Sequence, residues 1–211
     1  PYSFSAFPDM ETILRIAKDE NIAVLGINDF FVTDGYDTFL NGSLKSKIFP
    51  LFNIEFIGLL KEEQKKGIRI NDPNNPGRIY FCGKGLDYPF SLGLVQKLKL
   101  NAVIRESQYQ IKAMITKLNK LIEQVNPSLI LSYEDIKMQY AHDLVRERHL
   151  AKAVRSVAEK NYPDPDDRLR FIESVYGGKK SKSGVGNAAL LENEIRSYLL
   201  KSGGAAFVEE N

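Results

Sequence analysis

The sequence has little cysteine, no long apolar run and almost no net charge. A single cysteine, Cys82, in 211 residues excludes an internal disulfide and a zinc site built from several cysteines. No apolar run approaches the ~18 residues that a membrane helix needs. A net charge of +2 gives no overall field that would attract nucleic acid. We therefore expect a cytoplasmic protein with no membrane span, for which nucleic acid is not the expected partner.

The N-terminus carries no sign of a secretory signal. The chain begins at Pro1, and no charged segment followed by an apolar stretch comes after it. Because the first residue is not methionine, we expect further residues upstream.

The first hundred residues alternate between helical and strand patterns. Residues 8–19, "PDMETILRIAKD", predict an amphipathic helix capped by Asp9. Residues 21–27, "NIAVLGI", predict a strand buried on both faces, and residues 47–60, "KIFPLFNIEFIGLL", predict a second strand. Residues 66–72 and 77–86 predict two more strands joined by the turn-rich "NDPNNPG". This order is typical of an α/β fold.

Beyond Leu98 the pattern is helical. Apolar residues at helical spacing predict a long helix over residues 101–124, and Ser132 is placed to cap the next one. Further helical segments follow, interrupted at residues 177–187 by "GGKKSKSGVGN". This glycine-rich basic loop is either solvated or in contact with a nucleic-acid backbone.

Two acids stand where a strand would not be expected to carry one. Asp29 follows the first apolar strand within "GINDFFVTDGYDTF", residues 26–39, and is either a turn former or a residue of a polar site. Glu55 interrupts the second apolar strand, where an unpaired acid would be costly unless it is coordinated or faces solvent. Asp34 and Asp37 lie in what the sequence predicts to be a solvated polar loop.

The order of these segments resembles the PHP superfamily, the polymerase and histidinol phosphatase fold of metal-dependent phosphoesterases. "PYSFSAF" at residues 1–7 is similar to the continuation of a His-Thr-Pro-Tyr-Ser motif, and residues 26–39 stand in the place of Thr-Asp-His and its loop. "NIEF" matches the strand with Gly-x-Glu-Phe, and "RIYFCGKG" matches Val-His-x-Leu-Gly. "RERHLAKAV" is similar to Gly-Arg-Pro-His-Ile-Ala, and "SYLLKSGGAAFVEE" resembles the segment before the second half of the barrel.

The resemblance implies a distorted (β/α) barrel with a large helical insertion. Residues 1–97 would be its first half, residues 98–204 the insertion and residues 205–211 the return to the barrel. Half of a barrel leaves a sheet edge open, so we expect further chain or a partner to cover it.

The resemblance also implies a site. Asp29 and Glu55 would be metal ligands, with manganese, magnesium, zinc or iron as the divalent ion. Phe30 and Tyr80 stand where the family has histidine, so the metal site is eroded, and the other histidine ligands are expected before Pro1 and after Asn211. Arg148 and His149 would contact a substrate phosphate, the alternative for His149 being simple helix packing.

The expected function follows from the same resemblance. It is metal-dependent hydrolysis of a nucleotide or a small phosphorylated metabolite, with no catalytic residue identified. The alternative is a catalytically silent module of this fold that binds a ligand or partner, and Phe30 and Tyr80 favour it.

Overall fold

The computed structural model describes residues 7, 9–141 and 144–209. Of the N-terminal motif at residues 1–7, only Phe7 lies among them, and residues 210–211 of the predicted return to the barrel lie outside them. The chain divides into two compact units, Pro1–Arg105 and Glu106–Asn211. We refer to them as the sheet unit and the helical unit.

The sheet unit combines helices with a three-stranded sheet of order β1-β2-β3. In chain order its elements are α1 (Met10–Asp19), β1 (Val24–Phe30), α2 (Tyr36–Lys45), β2 (Phe49–Leu59), α3 (Lys61–Lys65) and β3 (Arg78–Lys84). β1 and β2 are parallel, whereas β2 and β3 are antiparallel. The prediction of a mixed α/β fold is confirmed.

One face of the sheet carries the core of this unit. Asp9 caps α1 by accepting a 2.7 Å hydrogen bond from Thr12 N, as the sequence predicts. Gly42 lets α2 approach α1 closely, because a β-carbon there would lie 2.3 Å from Leu14 Cδ1. The buried residues of the cluster come from both helices, the first two strands and the residue just before β2: Met10, Leu14, Ala17, Ile27, Tyr36, Phe39, Ile48 and Phe52.

Three predictions for this unit are wrong. β1 is covered on one face only, and Val24 on the other face is 51% exposed. Asp37 does not lie in a loop but in the first turn of α2, where its negative charge is favourable because it lies near the N-terminus of the helix. Residues 66–72 form no strand, because the side chain of Asn71 takes the place of a neighbouring strand: Tyr80 N donates to Asn71 Oδ1 at 3.0 Å and Asn71 Nδ2 donates to Tyr80 O at 2.9 Å.

The helical unit begins within the long helix α4 (Leu94–Glu123). The elements that follow are α5 (Tyr133–Tyr140), α6 (Glu147–Asn161), α7 (Pro165–Val175), α8 (Ala188–Ile195) and a π-helical turn (Arg196–Leu200). Ser132 caps α5 by accepting from Asp135 N at 3.3 Å, as predicted. α4, α6, α7 and α8 share a buried core that includes Leu118, Leu150, Ile172 and Leu191. In the part of the chain that is described, no helix is long and apolar enough to cross a membrane.

Candidate functional site

The register of the sheet decides which way each predicted site residue points. Phe30 pairs with Glu55 and Asn28 with Asn53, whereas Asp29 pairs with Ile54. Because side chains alternate between the two faces of a strand, Glu55 shares a face with Asn28 and Phe30, and Asp29 projects from the opposite face. We call the face of Asn28, Phe30, Asn53, Glu55 and Cys82 the open face, and the face packed against α1 and α2 the covered face.

Asp29 lies on the covered face and is 2% exposed. Burial, and in addition the negative charge of Asp29, raises the pKa of Tyr36 to about 12. Asp29 and Glu55 therefore lie on adjacent parallel strands, but the sheet does not bring their carboxylates to one face.

Glu55 lies at the centre of the open face, in the middle strand. Its Cα partners are Phe30 on β1 and Cys82 on β3. Its Oε2 accepts a 3.1 Å hydrogen bond from Asn28 Nδ2, which is also 3.7 Å from Cys82 Sγ. Among the residues of the three described strands, Glu55 is the one carboxylate on this face.

The two aromatic residues at histidine positions have different surroundings. Phe30 stands directly beside Glu55 and supplies no metal-binding atom. Tyr80 donates through its hydroxyl to Asp72 Oδ2 at 3.2 Å, and burial raises its pKa. Burial also acts to raise the pKa of Asp72, but hydrogen bonds led by that from Asn74 N, with the charge of Arg78, outweigh it and lower the pKa. Tyr80 is thus engaged with the loop before β3.

The donors on the open face do not fit the divalent ion that the resemblance implies. Carboxylate oxygens suit magnesium and manganese, and zinc and iron also take imidazole. The five residues that define the open face offer one carboxylate, one thiol and two amides that already bond to neighbouring strands or their ends. Within residues 7, 9–141 and 144–209, no group of three or more His, Cys, Asp or Glu side chains could hold a metal ion.

In the helical unit, Arg148 and His149 lie in the first turn of α6. His149 Nδ1 accepts a 3.0 Å hydrogen bond from the backbone N of Arg146, the residue that precedes the helix. Burial lowers the pKa of Arg148, and the nearby positive charge of Arg196 lowers it further. Arg196 donates to Glu147 at 3.1 Å, so this end of α6 gathers several partly buried charges.

The lysine-rich loop of the helical unit is braced by two acids. Ser181 N donates to Glu173 at 3.1 Å, and Ser183 N donates to Glu194 at 2.7 Å. Lys180 pairs with Glu173 at 2.7 Å. The bonds from Lys180 and Ser181 lower the pKa of Glu173, the larger contribution coming from Lys180. The two acids therefore bind the backbone of this glycine-rich loop.

Sequence reasoning missed the two asparagines of the open face. Asn28 is two residues from Phe30, and Asn53 is two residues from Glu55, so each shares a face with its neighbour. Reading each strand with a period of two would have grouped Asn53 with Glu55 and Asn28 with Phe30, whereas placing the two pairs on one face also requires the register of β1 against β2.

Comparisons with known proteins show a distant likeness in fold. No protein-family model and no curated protein matches the chain. A crystal structure from Bifidobacterium adolescentis, described as a "putative metal-dependent phosphoesterase", matches with a TM-score of 0.51 and 16% sequence identity. The match covers 83% of this chain and 52% of the other, so the chain spans about half the length of that protein. At this identity the likeness shows a shared fold.

Proposed function

We propose that this chain is a PHP-like module that binds a small phosphorylated ligand and that the residues of its sheet do not hydrolyse it. The likeness to a structure described as a metal-dependent phosphoesterase supports the class of ligand. One observation carries the second half of the proposal: Glu55 is flanked by Phe30 and bonded by Asn28, with Asp29 on the opposite face. A hydrolytic site of this class needs an ion held firmly enough to activate water.

The proposed architecture is the first half of a distorted (β/α) barrel, over residues 1–97, with residues 98–204 as a helical insertion. The parallel pair β1 and β2 with α2 between them is the repeat that such a barrel uses. Further chain or a partner would then pair with the open edge of the sheet.

The proposed phosphate contacts are Arg148 and His149. A guanidinium presents parallel N–H groups that match phosphate oxygens. Because His149 Nδ1 accepts a hydrogen bond from a backbone N–H, the proton of the neutral ring is on Nε2. This N–H can donate a hydrogen bond to a phosphate oxygen. The N-terminal turn of α6 adds the favourable end of a helix dipole.

Metal-dependent hydrolysis is the competing function, with Asp29 and Glu55 as ligands of manganese, magnesium, zinc or iron. The description of the structural neighbour favours it. It would require the two carboxylates to reach one ion from opposite faces of the sheet.

Calorimetric titration with inorganic phosphate and phenyl phosphate tests the proposal. We expect Arg148→Gln to weaken binding about 10-fold or more, because a hydrogen bond to a charged group is worth about 1.5–3 kcal/mol. Arg170→Gln is the matched control, since Arg170 is an exposed arginine of the same unit that pairs with Asp167. Equal binding by the two variants, or no binding by the unmodified chain, would contradict the proposal.

A further inference from the structure

An asparagine side chain on the open face contacts all three strands. Asn28 belongs to β1, and its Nδ2 donates to Glu55 Oε2 on β2 at 3.1 Å. The same nitrogen lies 3.7 Å from Cys82 Sγ on β3. Glu55 is thus the acceptor that fixes the orientation of this amide.

A second asparagine, Asn53, is the Cα partner of Asn28 and also bonds to both neighbouring segments of the sheet. Asn53 Nδ2 donates to Ile27 O on β1 at 3.0 Å, and Asn53 Oδ1 accepts from Gly85 N, just after β3, at 3.1 Å. The space for this amide depends on Gly26, because a β-carbon there would lie 2.7 Å from Asn53 Nδ2. We call Asn28, Asn53, Glu55 and Cys82 the strand clamp.

The strand clamp stands where the PHP resemblance implies a metal ligand. A metal site requires its carboxylate to meet other strong donors, and the Cα partner of Glu55 on β1 is Phe30, which has no donor atom. The amides of the clamp instead bond to a carboxylate, a backbone carbonyl and a backbone N–H, all on neighbouring strands or at their ends.

We propose that Glu55 is a positioning residue, not a metal ligand: its carboxylate accepts from Asn28 and so holds the three strands of the sheet together. This inference concerns the sheet unit alone. It does not depend on phosphate binding by the helical unit. The Arg148 variant tests that binding separately.

Hydrogen exchange of the peptides that cover β1 and β2, together with thermal unfolding, tests the role of Glu55. We expect Glu55→Ala and Asn28→Ala each to speed exchange about five-fold or more and to lower the melting temperature by about 4–8 °C, as expected for one hydrogen bond in a unit of this size. Glu55→Gln keeps an acceptor oxygen and should restore both values. The double alanine variant should cost no more than Asn28→Ala alone, because both substitutions remove the same bond between Asn28 and Glu55.

A second experiment tests whether Glu55 binds a divalent ion. With manganese or zinc in place of a chelator, we expect the melting temperature and exchange of the unmodified chain to stay unchanged, since a ligand stabilises only a fold that binds it. An ion-dependent rise that Glu55→Gln abolishes would overturn the proposal. So would a Glu55→Gln variant as destabilised as Glu55→Ala. If the alanine variant does not fold, the test still holds. The melting temperatures of the unmodified chain and of Glu55→Gln, each measured with and without ions, then show whether Glu55 binds an ion.

Discussion

Phe31 holds a backbone conformation that bulky side chains disfavour. Its φ is +62°, in the left-handed region, and it immediately follows β1. In this conformation its backbone N donates to Glu55 O at 3.0 Å, and its ring lies 5.9 Å from that of Phe56. Phe31 as a whole is 3% exposed. The burial of the ring therefore offsets a backbone cost of about 1–2 kcal/mol.

We predict that Phe31→Gly is more stable than Phe31→Ala. Both variants lose the buried ring, at a cost of about 3–5 kcal/mol, but glycine also relieves the left-handed backbone and recovers about 1 kcal/mol. Urea unfolding of the two variants measures the difference. An alanine variant as stable as the glycine variant would show that Phe31 carries no backbone strain.

We predict that Tyr36 makes the sheet unit less stable at alkaline pH. Its pKa in the fold is about 12, above its ordinary value of 10.0, so the unfolded chain releases this proton first. The contribution of Tyr36 to the free energy of unfolding is complete below pH 10 and is lost as the pH rises from about 10 to about 12.

Tyr36→Phe should flatten this alkaline loss. It should cost nothing at neutral pH, because the buried hydroxyl of Tyr36 has no hydrogen-bond partner among the described residues. Tyr176→Phe is the control in the helical unit, where burial also raises the pKa of the tyrosine. Hydrogen exchange of β1 at pH 7 and above pH 10 follows the sheet unit directly, and equal alkaline loss with and without the Tyr36 hydroxyl would contradict the account.

At the scale of elements, local signals were readable from the sequence and register was not. The caps at Asp9 and Ser132 depend on residues three positions apart, so the sequence shows them. The opposite orientation of Asp29 and Glu55 depends on how β1 pairs with β2, and a slip of one residue would reverse it. The sequence also did not show that residues 66–72 form no strand, because the reason is a long-range contact: the side chain of Asn71 makes the two hydrogen bonds to the backbone of Tyr80 that a neighbouring strand would make.

We predict that His149 stabilises α6 through its cap. His149→Ala should cost about 0.5–2 kcal/mol, because the backbone N–H of Arg146 loses its acceptor. His149→Glu should retain the stability, since glutamate at this position accepts the same bond and its charge suits the helix N-terminus. If His149 also contacts phosphate, the glutamate variant will fold normally and lose phosphate binding. Chemical unfolding and calorimetry on the same three proteins separate the two roles.

At the scale of the whole molecule, the predicted site residues belong to two separately packed units. Asp29 and Glu55 lie in the sheet unit, and Arg148 and His149 lie in the helical unit. Each unit has a buried core of its own, so a substitution in one core should leave the packing of the other intact. The change in sequence pattern beyond Leu98 anticipates a helical unit, because periodicity distinguishes helices from strands without knowledge of contacts.

The proposed function is the binding of a phosphorylated ligand that the residues of the sheet do not hydrolyse. Hydrolysis of p-nitrophenyl phosphate with manganese, measured on the unmodified chain and on Glu55→Gln, tests it most directly. We predict that both proteins give the rate of manganese and buffer alone, because the three described strands present one carboxylate on the open face, beside Phe30, and it already bonds to Asn28. Manganese-dependent turnover above that rate, abolished by Glu55→Gln, would contradict the account and make Glu55 a metal ligand.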